Sequence, residues 1–332
     1  MKRLFFLLFL VAVIVGAAWI IFSLQYPIGP STETFVEIAP GTSSMRIAAQ
    51  LKQQGLIRSQ DIFEAMHLVK GGSLKAGEYR FDHPAPMAEV FQRIRRGDVY
   101  TISLTIPEGS NLFDIAAKVE AARLGDKQQF IAAARNGAGI VEDLDPAAIS
   151  LEGYLFPDTY RFARNITSGQ ILAAMVKRFR LAAAEIGLQG NAHRVVTLAS
   201  LVERETPIPA ERPLVASVFE NRLAQNMPLM TDPSVIYAAL LDGRYRGTIY
   251  QSDLQAESPY NTYRHAGLPP GPICNPGLAS LKAAMNPAHT NYLYFVAAGA
   301  NPNGISKFSA TLAEHTRNVE AYRKAVRAAG TR

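Results

Sequence analysis

The chain has 332 residues, a formal net charge of +6 and a hydrophobic share of 48%. This composition excludes a disordered, collagen-like or disulfide-rich protein, and the single cysteine allows no disulfide within the chain. A basic balance fits nucleic acid, an anionic membrane surface or an acidic polymer. Because the sequence has no basic run interleaved with aromatic residues, nucleic acid is disfavoured as a partner.

The first predicted element is an uncharged apolar segment, Leu4–Leu24. As a helix it would be about 31 Å long, which matches the hydrocarbon core of a bilayer, about 30 Å thick. A cleavable signal peptide is the competing interpretation, but its apolar region usually spans only about 7–15 residues. The sequence therefore favours an uncleaved, single-pass transmembrane anchor in the cytoplasmic (inner) membrane.

The charges around this segment predict its orientation. Lys2 and Arg3 precede the segment, whereas the next basic residue after it is Arg46. By the positive-inside rule, the N-terminus lies in the cytoplasm. We therefore expect the body of the protein in the periplasm or another extracytoplasmic space.

An internal repeat follows a short linker rich in Pro, Ser and Thr, residues 25–34. The segment IAPGTSSMRIAAQL, Ile38–Leu51, aligns without gaps with IPEGSNLFDIAAKV, Ile106–Val119. Each copy has the pattern of a strand end, a glycine turn, a polar cap and a helix. Thr42 and Ser110 are the expected cap residues. The front half of the chain is thus predicted to hold two related strand–helix units.

The region from Leu151 onward has the pattern of several helices and a final hairpin. Helical patterns run through Gly169–Gly187, Ala192–Thr206 and Arg212–Gln225. The Pro- and Gly-dense stretch Gly267–Gly277 predicts either an extended, ordered loop or a lid. Two short strands around Asn301–Gly304 indicate a hairpin, followed by a helix through Ala325.

Two glutamates at the end of a predicted helix, in the stretch LASLVERETPIP (Leu198–Pro209), are the best candidates for chemistry. An apolar stripe at helical spacing runs through this stretch, and Glu205 continues it. Glu203 points about 200° away, where Arg204 or Arg212 could pair with it. A carboxyl at the end of a buried stripe is desolvated, which raises its pKa and suits it to donate a proton. The alternative for Glu205 is a structural ion pair with a nearby arginine.

Long motifs extend from this stretch in both directions. They are KAGEYRF (Lys75–Phe81), EGYLFPDTYRF (Glu152–Phe162), LASLVERETPIPAERPLVASVFENRL, MPLMTDPSVIYA, SPYNTYRHAGLPPGPICNPGLASLKAAMNPA, YLYFVAAG and KFSATLAEH. In this order they resemble the membrane-anchored endolytic lytic transglycosylases, the MltG or YceG-like family. The resemblance covers essentially the whole chain.

The resemblance implies an activity and a catalytic residue. Such enzymes cleave the MurNAc–GlcNAc β-1,4 bond within nascent peptidoglycan strands without water and leave 1,6-anhydro-MurNAc ends, which would terminate elongation. In the family's Glu-Lys-Glu-Thr motif the second glutamate is catalytic. Here that motif is Glu203-Arg204-Glu205-Thr206, which gives Glu205, and the Lys-to-Arg change keeps the charge. We expect no cofactor and no metal, since the six histidines lack metal-ligand spacing.

Five further residues are candidate substrate contacts. Asp232, which precedes a proline, is either a helix N-cap or a substrate contact. Tyr260 and Asn261 resemble the Ala-Tyr-Asn block of lysozyme-like transglycosylases, which implies that they line the cleft. Asn221 and Arg222 are either cleft residues or buried polar struts.

These patterns predict an α+β protein with an N-terminal transmembrane helix. The segment Phe35–Leu68 resembles a LysM module, which implies a β-α-α-β unit able to bind N-acetylated glycans, or a spacer of that shape without a sugar site. The predicted divisions are a cytoplasmic stub and transmembrane anchor (1–24), a linker (25–34), a LysM-like subdomain (35–100), a second strand–helix unit (101–150) and a mixed α+β transglycosylase domain (151–332).

Two other functions remain open from the sequence. One is a non-catalytic, membrane-anchored scaffold that binds peptidoglycan and recruits cell-wall synthesis enzymes. The other is a hydrolase of the same bond, which would add water and leave a reducing end.

Overall fold

The computed structural model describes residues 2–301 and 304–330. The chain divides into two compact units, Met1–Ile102 and Ser103–Arg332. Helices predominate, and the short strands form three two-stranded sheets within the described residues. The predicted α+β class is therefore confirmed.

The elements are named in chain order. The helices are α1 (Lys2–Gln25), α2 (Ser44–Gln53), α3 (Gln60–Lys70), α4 (Met87–Arg96), α5 (Leu112–Ala121), α6 (Lys127–Arg135), α7 (Ser168–Glu185), α8 (Ala192–Glu205), α9 (Arg212–Ala224), α10 (Asp232–Leu241), α11 (Gln251–Leu254), α12 (Leu278–Met285) and α13 (Leu312–Gly330). The strands are β1 (Thr34–Ile38), β2 (Gly77–Phe81), β3 (Ile102–Thr105), β4 (Thr159–Phe162), β5 (Tyr294–Ala297) and β6 (Ser306–Ser309).

Helix α1 has the length and composition of a membrane span. It has 24 residues and contains an 18-residue window with a mean hydropathy of 3.0, and within the described residues it is the one helix that meets both criteria. Its last turns pack on the first unit: Leu24 lies against the hydrophobic core, and the Arg58 guanidinium lies 4.7 Å from the centroid of the Phe22 ring. These properties fit a single-pass membrane anchor.

The first unit has the predicted β-α-α-β order, β1-α2-α3-β2, followed by α4. Strands β1 and β2 pair antiparallel, from Thr34 opposite Phe81 to Ile38 opposite Gly77. Val36 and Ile38 lie on the same face of β1 and point into the core, whereas Glu37 between them is exposed. Core side chains from α2, α3 and α4 complete the packing.

The internal repeat is preserved in the geometry of the two turns. Helices α2 and α5 each have 10 residues. The preceding glycines both have a left-handed backbone, with φ of +79° at Gly41 and +76° at Gly109. A side chain at these positions would be strained, which explains why both copies use glycine.

The expected helix caps are wrong by one residue in both copies. The caps are Ser43, whose side chain accepts from the Arg46 N–H, and Asn111, whose side chain accepts from two N–H groups of α5. Thr42 Oγ1 and Ser110 Oγ instead donate to the carbonyls three residues earlier, at 2.7 and 2.8 Å. Because hydroxyls can stabilise either the turn or the helix, the pattern alone does not decide between neighbouring positions.

The centre of the second unit is α8, which packs on α9 and α12. Gly153, with φ of +88°, allows the EGYLFPDTYRF motif to approach this helix closely. A Cβ at Gly153 would lie 2.5 Å from Pro272 Cγ and 2.7 Å from Val196 Cγ1. The Pro- and Gly-dense stretch is buried from Gly271 to Gly277. This part of the stretch is therefore packed into the fold, as expected for an ordered loop.

The C-terminal hairpin is present as predicted. Strands β5 and β6 pair antiparallel, from Tyr294 opposite Ser309 to Ala297 opposite Ser306. Two residues of the predicted turn, 302 and 303, lie outside the described residues. The final helix, α13, runs to Gly330 and so extends beyond the expected end at Ala325.

Candidate active site

The chain turns sharply directly after Glu205, the last residue of α8. Thr206 leaves the helix with an extended backbone, φ −138° and ψ 130°. Its Oγ1 accepts from the Ile208 N–H and donates to the Glu211 carboxylate, both at 3.1 Å. Glu211 also accepts from the Ser306 N–H and hydroxyl, at 2.5 and 3.0 Å. The end of α8 is thereby tied to the start of β6.

Glu205 faces a cleft of about 470 Å³. Helices α8, α9, α10 and α13, the hairpin and the loop before α10 all contribute to its walls. The lining residues are Glu205, Phe219, Arg222, Leu229, Met230, Thr231, Asp232, Tyr263, Tyr294, Phe295, Leu312 and His315. The cleft thus combines aromatic and aliphatic walls with a few charged and polar groups, as ligand sites commonly do.

The environment of Glu205 raises its pKa from 4.5 to about 7. Burial is the largest cause, since it disfavours the charged carboxylate, and the negative charge of Asp232 acts in the same direction. The positive charges of Arg222 and Arg204 oppose the shift. A carboxyl with this pKa is present in both protonation states near neutrality, so it can donate a proton and then accept one.

Glu203 has a different environment although it lies only two residues away. Its carboxylate accepts from Arg212 Nη2 and from the Gly277 N–H, both at 2.9 Å. The Glu203 and Arg212 side chains are only 5% and 6% exposed. The predicted pairing with Arg212 is therefore confirmed, but the pair is buried, whereas Arg204 is exposed and contacts the Gly109 carbonyl. Glu203 fixes the end of α8 against the buried loop.

Asp232 lines the cleft but is not the N-cap of α10. The helix begins at Asp232 itself, and Thr231 is in the cap position. The N-cap expectation is thus wrong by one residue. Asp232 Oδ1 instead accepts from the Tyr263 hydroxyl at 2.6 Å, and Asp232 and Tyr263 both line the cleft.

Arg222 and Asn221 both hold the entry to the hairpin. Arg222 lines the cleft, and its Nε and Nη1 donate to the carbonyls of Leu293 and Leu229 at 2.7 and 2.8 Å. Asn221 Nδ2 donates to two backbone carbonyls, of Thr290 and Tyr292, both at 2.9 Å. Asn221 is not among the cleft residues, so its position is that of the predicted polar strut.

Tyr260 and Asn261 lie outside the cleft lining. Asn261 is fully buried, and its Nδ2 donates to the carbonyls of Leu254 and Ala256 at 3.0 and 2.9 Å. Tyr260 is buried against the Tyr237 ring, with centroids 5.1 Å apart. The expectation that these two residues line the cleft is corrected, since their side chains are used inside the fold.

Sequence reasoning missed several cleft residues. Tyr263 lies in the same YNTY motif as Tyr260, and His315 ends the KFSATLAEH motif, so both motifs contained the signal. Thr231 gave no signal, because its position in the lining depends on the shape of the cleft. Glu211, which lies outside the lining, gave none either, because its role depends on its contact with Ser306.

A desolvated carboxyl in an open cleft, with a second carboxylate in the same lining, is a site typical of enzymes that cleave polysaccharides by proton transfer. Comparison with known proteins agrees with this class. The YceG-like family matches residues 36–321, and the chain belongs to this family.

Two relatives and one solved structure show how far the similarity extends. The chain is 36% identical over 323 residues to the "Endolytic murein transglycosylase" of Bacillus subtilis (strain 168), covering 90% of this chain and 88% of that protein. It is 29% identical to the protein of the same name in Streptococcus pneumoniae R6, covering 89% of this chain and 61% of the relative. A crystal structure of a YceG-like protein from Listeria monocytogenes matches with a TM-score of 0.58 and 32% identity, over 87% of this chain and 99% of that one.

Proposed function

We propose that this protein is an endolytic murein transglycosylase that cleaves the MurNAc–GlcNAc β-1,4 bond inside peptidoglycan strands and leaves 1,6-anhydro-MurNAc ends. Membership of the YceG-like family and the names of the relatives support this proposal. The observation that carries it is Glu205, a carboxyl in an open cleft whose pKa is raised to about 7.

Glu205 would act as acid and then as base. Protonated Glu205 gives its proton to the glycosidic oxygen as the bond to C1 of MurNAc breaks, and positive charge develops on that sugar. The C6 hydroxyl oxygen of the same MurNAc then bonds to C1, and the Glu205 carboxylate takes the hydroxyl proton. The carboxyl is restored, no water is consumed, and one residue is sufficient for both transfers.

Asp232 would assist through its charge. It raises the pKa of Glu205, which keeps a larger fraction of the acid protonated near neutrality. The same negative charge, in a cleft partly shielded from water, would stabilise the cationic sugar in the transition state. Arg222 would mainly hold the cleft wall, because it is bonded to backbone carbonyls.

The location follows from α1 and the charges beside it. We place the N-terminus in the cytoplasm and the two units outside, anchored in the cytoplasmic membrane. An anchored enzyme has a high effective concentration near newly made strands. Its cuts would therefore end the elongation of those strands.

The mass of the products tests the proposal. Uncrosslinked glycan strands are incubated with the full-length protein in detergent, and the fragments are analysed by mass spectrometry. We expect internal cuts and anhydro ends. A hydrolase would give fragments one water heavier with reducing ends, and a scaffold would leave the strand lengths unchanged; either result would overturn the proposal.

A further inference from the structure

A second buried carboxyl, Glu152, lies outside the cleft lining and is not used in the proton transfers described above. It belongs to the EGYLFPDTYRF motif and is only 2% exposed. Its Oε2 accepts from the Leu112 N–H at 2.9 Å, and its Oε1 accepts from Asn275 Nδ2 at 2.8 Å. The Tyr237 hydroxyl donates to the same carboxyl. A buried carboxyl with donors from three parts of the chain joins those parts firmly.

One of the three donors leads to α10, the helix that begins at Asp232. Tyr237 lies in α10, five residues after Asp232, and is buried. Because a helix rises about 1.5 Å per residue, the two residues are about 7.5 Å apart along its axis. The hydrogen bond at Tyr237 therefore fixes α10 near the end that reaches the cleft.

A second donor leads to the end of α8, which carries Glu205. Asn275 lies in the buried Pro- and Gly-dense loop. This loop is bound to α8 at two levels: one of its N–H groups donates to Ser200 Oγ at 3.0 Å, and the Gly277 N–H donates to the Glu203 carboxylate at 2.9 Å. By holding Asn275, Glu152 holds the loop against the last turns of α8.

The third donor connects the carboxyl to α5. Leu112 is the first residue of that helix, so its N–H has no acceptor within the helix. Helices α8 and α10 also contact each other directly. Because Glu152 ties both of them to α5, it limits how far the end of α8 and the start of α10 can move relative to each other.

The separation of these two helix ends affects the chemistry, because Glu205 and Asp232 line the same cleft. The negative charge of Asp232 helps to raise the pKa of Glu205 to about 7. Like charges repel, so a less restrained α10 would let Asp232 move away from Glu205 and would weaken this effect. Glu152 is not among the causes of the raised pKa, so it acts on Glu205 only through geometry.

We propose that Glu152 is a positioning residue that holds Glu205 and Asp232 at the separation needed for proton transfer, through Tyr237 on one side and Asn275 on the other. The inference rests on the proposed function, because it concerns the same cleft. The Glu152 carboxyl touches no substrate; it fixes the two helix ends that present the cleft carboxyls.

Tyr237→Phe tests the link to α10. It leaves the Glu152 carboxyl, its two other hydrogen bonds and the cleft lining in place. We expect kcat for the release of anhydro-ended fragments to fall about tenfold with KM within about twofold, because misplaced groups slow the chemical step without removing a substrate contact. The alkaline decline in kcat/KM should move to lower pH by about half a pH unit. A wild-type rate and profile would overturn the proposal.

The direction of the pH shift separates positioning from a direct effect of Glu152. Burial raises the pKa of Glu152 to about 8, and the hydrogen bond from Tyr237 opposes this rise. Loss of that bond in Tyr237→Phe would raise the pKa of Glu152 further. A decline in kcat/KM that moved to higher pH would therefore report the titration of Glu152 itself, and it would overturn the proposal.

Tyr154→Phe is the matched control, because it also removes a tyrosine hydroxyl from a buried carboxylate. The Tyr154 hydroxyl donates to Asp145, which contacts His193 in the first turn of α8, at the opposite end from Glu205. Both substitutions should lower the unfolding midpoint to a similar extent, but Tyr154→Phe should leave the pH profile unchanged. Equal pH shifts in the two variants would indicate a general loss of stability and overturn the positioning role.

Substitution of Glu152 itself tests both links together. Glu152→Gln keeps one acceptor oxygen but presents an amide NH2 to at least one of the three donors, so it should lower kcat more than Tyr237→Phe does. A folded Glu152→Gln with wild-type kcat would overturn the proposal. Tyr237→Phe carries the test if Glu152→Gln does not fold.

A double substitution identifies Asp232 as the group that is held. In Asp232→Asn the charge is absent, so adding Tyr237→Phe should move the pH profile no further, whereas independent effects would add. An additive shift would overturn the assignment. If the wild-type protein released no anhydro-ended fragments, the proposed function would fail; if it released them and Tyr237→Phe behaved as the wild type, only the positioning role would fail.

Discussion

At the scale of single residues, two glutamates of the same helix end have opposite environments. Glu203 is neutralised by a buried arginine and a backbone N–H, whereas Glu205 faces a cleft in which burial and Asp232 both raise its pKa. Desolvation and a neighbouring negative charge both disfavour the ionised form of a carboxyl, which makes Glu205 an acid near neutrality. The difference in function follows from these neighbours.

The charge of Asp232 should be visible in the pH profile. Asp232→Asn keeps an oxygen for the Tyr263 hydroxyl but removes the negative charge, so the pKa of Glu205 should fall. Activity that needs protonated Glu205 declines as pH rises through about 7. In the variant, this decline in kcat/KM should move to lower pH, on the order of one unit. Tyr263→Phe, which retains the charge, is the control; a move to higher pH in Asp232→Asn would contradict the assignment.

In alkaline solution, ionised Glu205 should lower the free energy of unfolding of the protein. Its pKa is about 7 in the folded protein, against 4.5 for the ordinary carboxyl. A raised pKa gives stability that is complete below pH 4.5 and is lost as pH rises through 7. Glu205→Gln should therefore match the wild type near pH 4 and exceed it above pH 8, on the order of 3 kcal/mol. Urea unfolding at both pH values measures this, and a constant difference would contradict it.

At the scale of elements, Glu211 couples the end of α8 to the hairpin that forms one cleft wall. Glu211→Ala would leave the Thr206 hydroxyl and two Ser306 donors without their acceptor. We expect a loss of about 2 kcal/mol in unfolding free energy and about a tenfold fall in kcat. Glu211→Gln keeps one acceptor oxygen and should recover part of both. Full activity in the Ala variant would show that the coupling is not needed.

The sequence predicts elements better than the contacts between them. Periodicity locates α7, α8 and α9 within about two residues, since each has a continuous apolar face. The cap positions shift by one residue because Thr42 and Ser43 are chemically similar. The link from Glu211 to Ser306 joins positions 95 apart in the chain, and no local pattern encodes such a contact.

The residues of the candidate site, too, were predicted only in part from the sequence. Helical phase and the family resemblance both point to Glu205, because its position depends on a regular helix. Tyr260 and Asn261 were misplaced, since a short motif specifies residue types and not the direction in which they point. Thr231 was not predicted, because its position in the lining depends on the shape of the cleft.

At the scale of the whole molecule, the anchor and its flanking charges predict which side of the membrane the two units occupy. Val69 is 87% exposed, so Val69→Cys should react in cells with an impermeant maleimide once any outer barrier is opened. A cysteine in an N-terminal tag should react only after lysis. Burial raises the pKa of the native Cys274 thiol, so it should stay unlabelled. Labelling of the tag in intact cells would reverse the topology.

The most direct test of the account is the anhydro product formed by Glu205→Gln. The substitution keeps the shape of the side chain but removes the proton that is donated and later recovered. Formation of 1,6-anhydro ends should fall at least about 100-fold, with cooperative unfolding and glycan binding retained, whereas exposed Glu142→Gln should behave as the wild type. Anhydro-ended fragments released by Glu205→Gln within tenfold of the wild-type rate would contradict the central claim.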